Sequence, residues 1–363
     1  MRSPVLLAVT LGLFSVTVVL AQTPRKVTEG PGLKANEDAR EPAVLATCKT
    51  PPPAPPNFGG NRGRRPPPPP KPPTRVSAIP DIIAAGQHWK AVWHERGNNA
   101  DGIIASDDGG VLVAQQDNSD VVKVGANGHA SVVYQDTNTG GALSMNKQGQ
   151  LFDAERGLHE AIWELAPQHK ALALTYQGEP LDCLGGLNDL TAAANGGVYF
   201  TQGKLYYASP DGVVSQVGDI RTFTNGIILS PDEQTLYVTD GNTLQGFSVQ
   251  PNGMLTNQHT VAMLKGFGDG STVDSQGRIY VSDSATGIDV ITPDGQLLGS
   301  IPPPKGTDVI SLAFSGRDKK TLYAVALLPR HKGLAHNGLP GDNLAGEIVA
   351  IPMLSQGYDG RAK

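Results

Sequence analysis

The stretch TNGIILSPDEQTLYVTDG (residues 224–241) contains an amide side chain, an alternating apolar segment, a turn and a second alternating segment. Two alternating apolar segments joined by a Pro-Asp turn are typical of a β-hairpin. The turn and the strand after it recur six times, as DDGGVLVA, KQGQLFDA, ANGGVYFT, PDEQTLYV, SQGRIYVS and RDKKTLYA. No comparable amphipathic helix pattern interrupts the repeats, so they predict an all-β fold.

The spacing of the repeats predicts the architecture. The first strand residues of successive units lie between 38 and 47 residues apart, and a second strand with a further turn follows each one. A period of about 40–45 residues with four strands per unit is typical of a β-propeller. We therefore predict a six-bladed β-propeller over residues 78–354. The leftover segment HWKAVWH (88–94) is expected to supply the outer strand of the last blade and close the ring.

The N-terminal end differs from the repeats. Arg2, an apolar run from Val5 to Leu20 and the small residue Ala21 predict a secretory signal peptide over residues 1–21. This predicts a periplasmic or secreted protein, with an uncleaved membrane anchor as the alternative.

Two further segments lie outside the predicted propeller. Residues 22–77 are rich in proline and poor in large apolar residues, so we expect a disordered linker with polyproline II character. Residues 355–363 are expected to form a frayed C-terminal tail.

Charge is divided between the linker and the repeats. Residues 22–77 hold ten Lys or Arg and four Asp or Glu, although the whole chain has a net charge of −5. The basic linker is a candidate for contact with an anionic cell envelope, and a solvated tether is the alternative. The acidic folded part has no basic groove motif, which argues against nucleic acid as a partner. We expect a monomer.

The chain has two cysteines, Cys48 in the linker and Cys183 in a repeat. Two cysteines exclude a disulfide framework, although they could pair in an oxidising compartment. We expect two free or loosely paired thiols without a catalytic role.

Oxygen-bearing side chains recur at one place in the repeats. These residues each lie ten or eleven positions before the first apolar residue of a strand: Asp101, Asn188, Asn225 and Asp269. Because the inner strands of a propeller line its channel, we expect the four to converge at one mouth. Turn residues that bond their own backbone are the alternative interpretation. Gly141 and Ser311 are expected at the matching places of blades two and six, where they would leave an open side for a ligand.

The donor types indicate the kind of ligand. Two carboxylates with amide oxygens and water suit one divalent metal ion, Ca²⁺ first, with Mg²⁺, Mn²⁺ or loosely held Zn²⁺ as alternatives. The four positions contain no His or Cys, which argues against a tight zinc site.

Three longer motifs resemble a known family. They are LNDLTAAANGGVYFT (187–201), TNGIILSPDEQTLYVTDG (224–241) and DGSTVDSQGRIYVSD (269–283), of which the second is the most specific. From about residue 90 to 353 the chain resembles the senescence-marker-protein, gluconolactonase and luciferin-regenerating-enzyme family, which includes regucalcin. The resemblance implies a six-bladed propeller with one divalent metal in the channel and hydrolysis of lactones.

The resemblance also implies residue roles. It assigns the metal to Asp101, Asn225 and Asp269, and substrate contact to Asn188. Asp101 stands where the family has Glu, and Gly186 stands where some members have a substrate-binding Arg two residues before the Asn. These departures put a sugar lactone in doubt more than they do the metal.

Two loops are expected on the same face, because the loops after the second strand of each blade return to the mouth. The first, Glu155–His159, brings Arg156 or His159 over the pocket as candidate substrate-binding residues. The second, residues 329–346, is a candidate lid. Surface decoration is the alternative for both.

These observations favour a secreted metal-dependent hydrolase of a lactone or related ester. In it, the metal would polarise the carbonyl, Asp269 would act as the base, and Asp189 would hold the Asn188 loop through backbone hydrogen bonds. The alternative is a non-catalytic propeller that binds a ligand or protein in the cell envelope, since this fold supports many functions. A third possibility is that the basic linker itself is a docking arm.

Overall fold

A computed structural model describes residues 35, 38–50, 52, 75–94, 100–116, 118–218, 220, 224–327 and 346–360. The predicted signal peptide lies outside the described residues, as does the candidate lid apart from Gly346. Within the described part, no helix is both long enough and apolar enough to cross a membrane.

Six antiparallel sheets of four strands form the protein, and a short hairpin lies between the second and third sheets. Blade one comprises β2 (Ala100–Ala105), β3 (Val111–Gln115), β4 (Asp120–Val124) and β5 (Ala130–Gln135). Blade two comprises β6 (Gly140–Met145), β7 (Leu151–Glu155), β8 (Ala161–Ala166) and β9 (Lys170–Ala173). The hairpin β10 (Thr175–Tyr176) and β11 (Glu179–Pro180) follows, with a 3-10 helix at Leu181–Leu184.

The remaining blades repeat this order from the channel outward. Blade three comprises β12 (Leu190–Ala192), β13 (Val198–Gln202), β14 (Lys204–Ala208) and β15 (Val214–Gln216). Blade four comprises β16 (Thr224–Leu229), β17 (Thr235–Asp240), β18 (Thr243–Val249) and β19 (Leu255–Met263). Blade five comprises β20 (Gly268–Val273), β21 (Ile279–Asp283), β22 (Gly287–Ile291) and β23 (Leu297–Ile301). Blade six comprises β24 (Asp308–Ser315), β25 (Thr321–Leu327), β26 (Gly346–Pro352) and β1 (Lys90–Trp93).

The ring closes through blade six. Strand β1 pairs antiparallel with β26, Lys90 opposite Ala350, so the first strand of the chain completes the last sheet. The six-bladed propeller predicted from the repeats is confirmed, including the closing strand predicted within residues 88–94. Closure joins both ends of the domain in one sheet, which stabilises the ring against opening at that blade.

The core is distributed between the blades. Six clusters of buried apolar residues lie at the six interfaces between neighbouring blades. Ile104 of blade one and Leu143 of blade two, for example, are almost completely buried in one of them. Each such side chain contributes about 1.5–3 kcal/mol through its burial. The apolar strand residues thus fix the blades around the channel.

Both ends of the propeller extend beyond the predicted limits. Val76, which precedes the predicted start at residue 78, is buried against blades five and six together with Ile79 and Ile82. At the other end, Ser355 Oγ and the Tyr280 hydroxyl are hydrogen-bonded at 2.9 Å, and the Gly357 N–H donates to Lys319 O at 2.9 Å. Residues 355–358 therefore pack on the domain, and the prediction of a frayed tail is wrong for them.

Part of the expected linker is also ordered. We call residues 38–50, with Ala35, the N-terminal arm. It contains α1 (Glu41–Leu45) and a disulfide between Cys48 and Cys183, whose Cα atoms are 5.7 Å apart. The expectations of disorder here and of two free or loosely paired thiols are therefore wrong. Composition alone missed the arm because a covalent bond, rather than a buried apolar face, attaches it to the propeller.

Candidate metal and substrate site

A backbone irregularity places the candidate residues at the channel mouth. In blades one, two, four and five, the pairing of the inner strand with the second strand shifts register at residues 101–102, 141–142, 225–226 and 269–270. Such a β-bulge re-aims a side chain that would otherwise follow the strand alternation. Asp101, Asn225 and Asp269 all stand at bulges, each second in its strand.

The glycine after each of these residues has a packing role. A Cβ at Gly102 would lie 2.7 Å from Ala142 Cα, one at Gly226 would lie 2.1 Å from Asp269 O, and one at Gly270 would lie 2.6 Å from Ile310 O. These are backbone atoms of the next inner strand, which cannot easily give way. The Asp-Gly and Asn-Gly pairs in the sequence are thus explained by a close approach of neighbouring inner strands at the bulge.

Hydroxyl groups brace the same places from the preceding blade. Thr201 Oγ1 donates to Asn225 O at 2.8 Å, and Thr239 Oγ1 donates to Asp269 O at 3.4 Å. Ser282 Oγ donates in the same way to Val309 O in blade six. A second-strand hydroxyl in one blade therefore holds the inner-strand bulge of the next, which makes the ring of site residues rigid.

Arg156 fills the place that blade two leaves empty. A Cβ at Gly141 would lie 2.3 Å from the Arg156 Cζ atom, so any larger residue would have to displace the guanidinium. The prediction of an open side at Gly141 is wrong for this reason. In blade six the strand register places Ile310, and not Ser311, at the matching position.

The guanidinium joins three blades. Arg156 Nη1 donates to Asp101 Oδ2 and, at 3.0 Å, to Gln116 Oε1. Its Nε donates to the backbone oxygen of Asn188 at 3.0 Å. Its Nη2 donates to that oxygen and, at 3.2 Å, to Asn188 Oδ1. The Arg156 side chain is only 5% exposed, so this ion pair is largely shielded from water.

Arg156 also fixes the orientation of two amides. Arginine only donates hydrogen bonds, so the Asn188 atom that faces it must be the oxygen. The Asn188 Nδ2 group then points to Asn225 and donates to its Oδ1 at 3.0 Å. The second hydrogen on Asn188 Nδ2 remains for another acceptor at the mouth.

Asp269 completes the ring as a half-buried carboxylate. Loss of hydration raises its pKa to about 8, and the charges of Asp101 and Asp189 add to the shift, while Arg156 and the Gly270 N–H oppose it. The cause is a carboxylate crowded by other carboxylates with little water. Asp189 itself accepts from the Leu190 N–H at 2.8 Å and from the Ile227 N–H at 3.1 Å. It thereby ties the Asn188 segment to blade four, the role predicted for it.

Four of the six predicted site residues form one hydrogen-bonded chain: Asp101, Arg156, Asn188 and Asn225. Asp269 lies beside this chain and interacts electrostatically with Asp101 and Arg156. His159 lies on the same face but has an exposed side chain, and its N–H donates to Asp182 Oδ1 at 2.8 Å. Sequence reasoning missed Gln116, because nothing in a repeat alignment marks the residue directly after β3.

The oxygen atoms that could bind a metal at this site belong to both carboxylate and amide groups. Among the described residues no group of three or more His, Cys, Asp and Glu side chains is arranged to hold a metal. The oxygens of this site come instead from two carboxylates, Asp101 and Asp269, and from amides.

The chain is similar in sequence to proteins of known family. A family model described as the SMP-30/Gluconolactonase/LRE-like region matches residues 118–327. The chain is 25% identical over 293 residues to gluconolactonase from Zymomonas mobilis, a match that covers 69% of this chain and 80% of that protein.

Solved structures share the fold. A gluconolactonase from Xanthomonas campestris superposes with a TM-score of 0.61 at 22% identity, covering 78% of this chain and 95% of that one. Regucalcin from Agrobacterium tumefaciens, a calcium-binding protein, superposes with a TM-score of 0.53 at 20% identity, covering 71% and 93%. The resemblance found in the three sequence motifs is confirmed. The chain belongs to the SMP-30/gluconolactonase/LRE-like family.

Proposed function

We propose that this protein is a hydrolase of a lactone or related ester that uses one divalent metal ion, Ca²⁺ first, held in the channel mouth by Asp101, Asn225 and Asp269. The observation that carries the proposal is the carboxylate of Asp269. It is half-buried beside Asp101 and Asp189, and its pKa is raised to about 8, chiefly by loss of hydration. A bound cation would relieve this crowding of negative charge.

The residues fit such an ion. Asp101 Oδ2 is used by Arg156 and Gln116, which leaves its other oxygen for a metal. Asn225 Oδ1 accepts one hydrogen bond and has a second lone pair. Carboxylate and amide oxygens with added water are what Ca²⁺ accepts, and its coordination is flexible enough to suit the shorter Asp101 in place of Glu.

When bound, the metal would polarise the carbonyl of the substrate as a Lewis acid. Asn188 would orient the substrate through its remaining Nδ2 hydrogen. Asp269 would accept a proton from the attacking water and return it to the ring oxygen as the C–O bond breaks, which leaves a hydroxy acid. Arg156 would hold Asn188 and Asp101 in place throughout, because its guanidinium donates to those residues and to Gln116.

A test compares Asp269→Asn with Asp294→Asn in the full chain. Asp294 is an exposed turn residue of the same blade on the opposite face, so it is a matched control. Calorimetric titration with Ca²⁺ and a screen of aliphatic and sugar lactones should give binding and turnover that Asp269→Asn loses and Asp294→Asn keeps. Equal binding and turnover in both variants would refute the assignment of the site.

One observation favours a second function. Arg156 is paired with Asp101, so the Asp101 carboxylate has a cationic partner without a metal. A non-catalytic propeller that binds a polar ligand would use the same mouth. Failure of the wild-type protein to bind Ca²⁺, Mn²⁺ or Zn²⁺ would favour this alternative over the hydrolase.

Location is also part of the proposal. We infer a periplasmic or secreted protein from the signal sequence over residues 1–21, and the Cys48–Cys183 bond supports it, because such bonds persist in oxidising compartments. Cell fractionation with protease protection would test it: full-length chain in the cytoplasm would contradict the proposal.

A further inference from the structure

We propose that the N-terminal arm is a built-in wall of the channel mouth that positions Arg156 and the Asn188 segment, and that the Cys48–Cys183 bond keeps it there. The arm lies on the face where the inner strands begin. It contacts the loop between β7 and β8 and the connection between blades two and three. Its effect on turnover rests on the proposed function, but its effect on the fold of the mouth does not.

The first contact is to the loop that carries Arg156. The Ala35 N–H donates to the backbone oxygen of Arg156 at 2.8 Å, and Ala35 is only 7% exposed. The side chain of the same residue holds Asp101 and Asn188. The arm therefore bonds directly to the backbone of the residue that joins three blades.

The second contact is covalent and reaches the segment that leads to Asn188. Cys183 lies in the 3-10 helix Leu181–Leu184. Gln202 Nε2 donates to Leu181 O at 2.8 Å and to Gly185 O at 2.6 Å, and Glu160 Oε1 accepts from the Leu187 N–H at 3.0 Å. The disulfide thus attaches the arm to a segment whose other bonds place the Asn188 backbone.

The two anchored segments are also bonded to each other. Asp182, next to Cys183, accepts from the His159 N–H at 2.8 Å, which holds the far end of the Arg156 loop. On the arm side, the Lys49 N–H donates to Glu179 Oε1 at 2.6 Å. Arm, Arg156 loop and 3-10 helix therefore form one connected unit beside the site.

The disulfide matters because, among the described residues of the arm, only Ala35 and Asp38 are buried. Helix α1 has five residues and none of them is buried. A helix this short is unstable on its own, and a few exposed hydrogen bonds contribute little. Without the covalent bond, the arm should leave the mouth for a large part of the time and release the Arg156 loop.

The experiment compares three variants of the full chain with the wild type. Cys48→Ser/Cys183→Ser removes the covalent bond. Ala35→Pro, added to that pair, removes the N–H that bonds to Arg156. Thr47→Ala is the matched control, since its exposed hydroxyl donates only within the arm, to Val44 O at 2.7 Å. Hydrogen exchange of residues 155–160, Ca²⁺ titration and lactone kinetics are measured on each, and thermolysin cleavage within residues 38–50 reports release of the arm.

We expect residues 155–160 to exchange at least tenfold faster in the triple variant, while β8 and β13 keep their protection. We expect Kd for Ca²⁺ and KM for the lactone to rise at least threefold with a smaller change in kcat, and Thr47→Ala to match the wild type. If the disulfide only stabilised the fold, its removal would lower Tm without faster exchange at residues 155–160 or weaker Ca²⁺ binding. Released arm with unchanged exchange and unchanged Ca²⁺ affinity would overturn the proposal, as would an arm that stays protected in the triple variant. If the wild type hydrolyses no lactone, exchange still decides the question.

Discussion

The guanidinium of Arg156 occupies the space that the missing side chain of Gly141 leaves at the channel mouth. A Cβ on Gly141 would lie 2.3 Å from both Cζ and Nη1 of Arg156. Blade two thus supplies a cation from a loop where blades one, four and five supply a side-chain oxygen from the inner strand. The mouth therefore carries less net negative charge, because the Arg156 guanidinium pairs with the Asp101 carboxylate.

Gly141→Ala should displace the guanidinium and leave Asp101 without its partner. Breaking a largely buried ion pair from one side is costly, and we expect a loss of about 2–4 kcal/mol in the free energy of unfolding. Urea denaturation measures it. Gly186→Ala is the control, since a Cβ there would meet no described atom within 4 Å. Similar losses in both variants would contradict the packing of Arg156 against Gly141.

Thr201→Val should loosen the brace between blades three and four. It removes the donor to Asn225 O at 2.8 Å and the acceptor for the Asp189 N–H at 3.0 Å, and leaves both groups buried. We expect a loss of about 1–3 kcal/mol and weaker Ca²⁺ binding. Thr292→Val, in an exposed turn of blade five, is the control for urea denaturation and calorimetry. Unchanged Ca²⁺ affinity with lowered stability would show that the brace supports the fold only.

The metal-free protein should lose stability as pH rises through neutrality. The pKa of Asp269 is raised to about 8, first by loss of hydration, so the folded state holds a proton that the unfolded state has released. Stability is therefore highest below the ordinary carboxyl range and falls up to about pH 8, by at most ~1.4 kcal/mol per pH unit from this group. Denaturation of the chelator-treated protein at pH 5 to 9 measures the slope. Asp269→Asn should flatten it, and an unchanged slope in that variant would assign it to other groups.

Ca²⁺ should reverse this pH effect. A metal competes with the proton for Asp269, so its affinity should rise with pH up to about 8. Thermal unfolding at several Ca²⁺ concentrations should show Tm rising with the ion, by an amount set by the ratio of its concentration to Kd. Asp269→Asn should show no such rise, whereas Asp294→Asn should. A Tm independent of Ca²⁺ in the wild type would speak against the metal.

Glu160→Gln should cost less stability than Glu160→Ala. Burial raises the pKa of Glu160 well above its ordinary value, so a neutral amide resembles the form that the folded protein favours. The amide oxygen can still accept from the Leu187 N–H, which Glu160 Oε1 holds at 3.0 Å. The amide nitrogen cannot accept the hydrogen bond that Gln202 Nε2 donates to Glu160 Oε2. Alanine leaves that N–H and Gln202 without this partner, at a cost of about 2–4 kcal/mol. Urea denaturation at pH 7 should separate the two variants, and equal losses would contradict the role of the hydrogen bond.

The pattern of apolar residues along the chain specifies the repeat, and with it the fold. Period-2 alternation after each turn specifies strands, and six such units of about 40–45 residues can bury their faces only against each other, in a ring. The sequence also identified Asp101, Asn188, Asn225 and Asp269, because they stand at one register of that repeat. It located these residues without tertiary information since a cyclic array converts equal register into spatial proximity.

Contacts outside the repeat depend on three-dimensional packing. Arg156 could be offered as a candidate from its loop, but its place over Gly141 depends on which face of the neighbouring strand is open. The pairing of Cys48 with Cys183 joins residues 135 positions apart, a distance over which no local pattern acts. The proline-rich composition around Cys48 predicts disorder, but the disulfide to Cys183 holds this segment against the propeller. Contacts of this kind are set by three-dimensional packing, which a linear period does not encode.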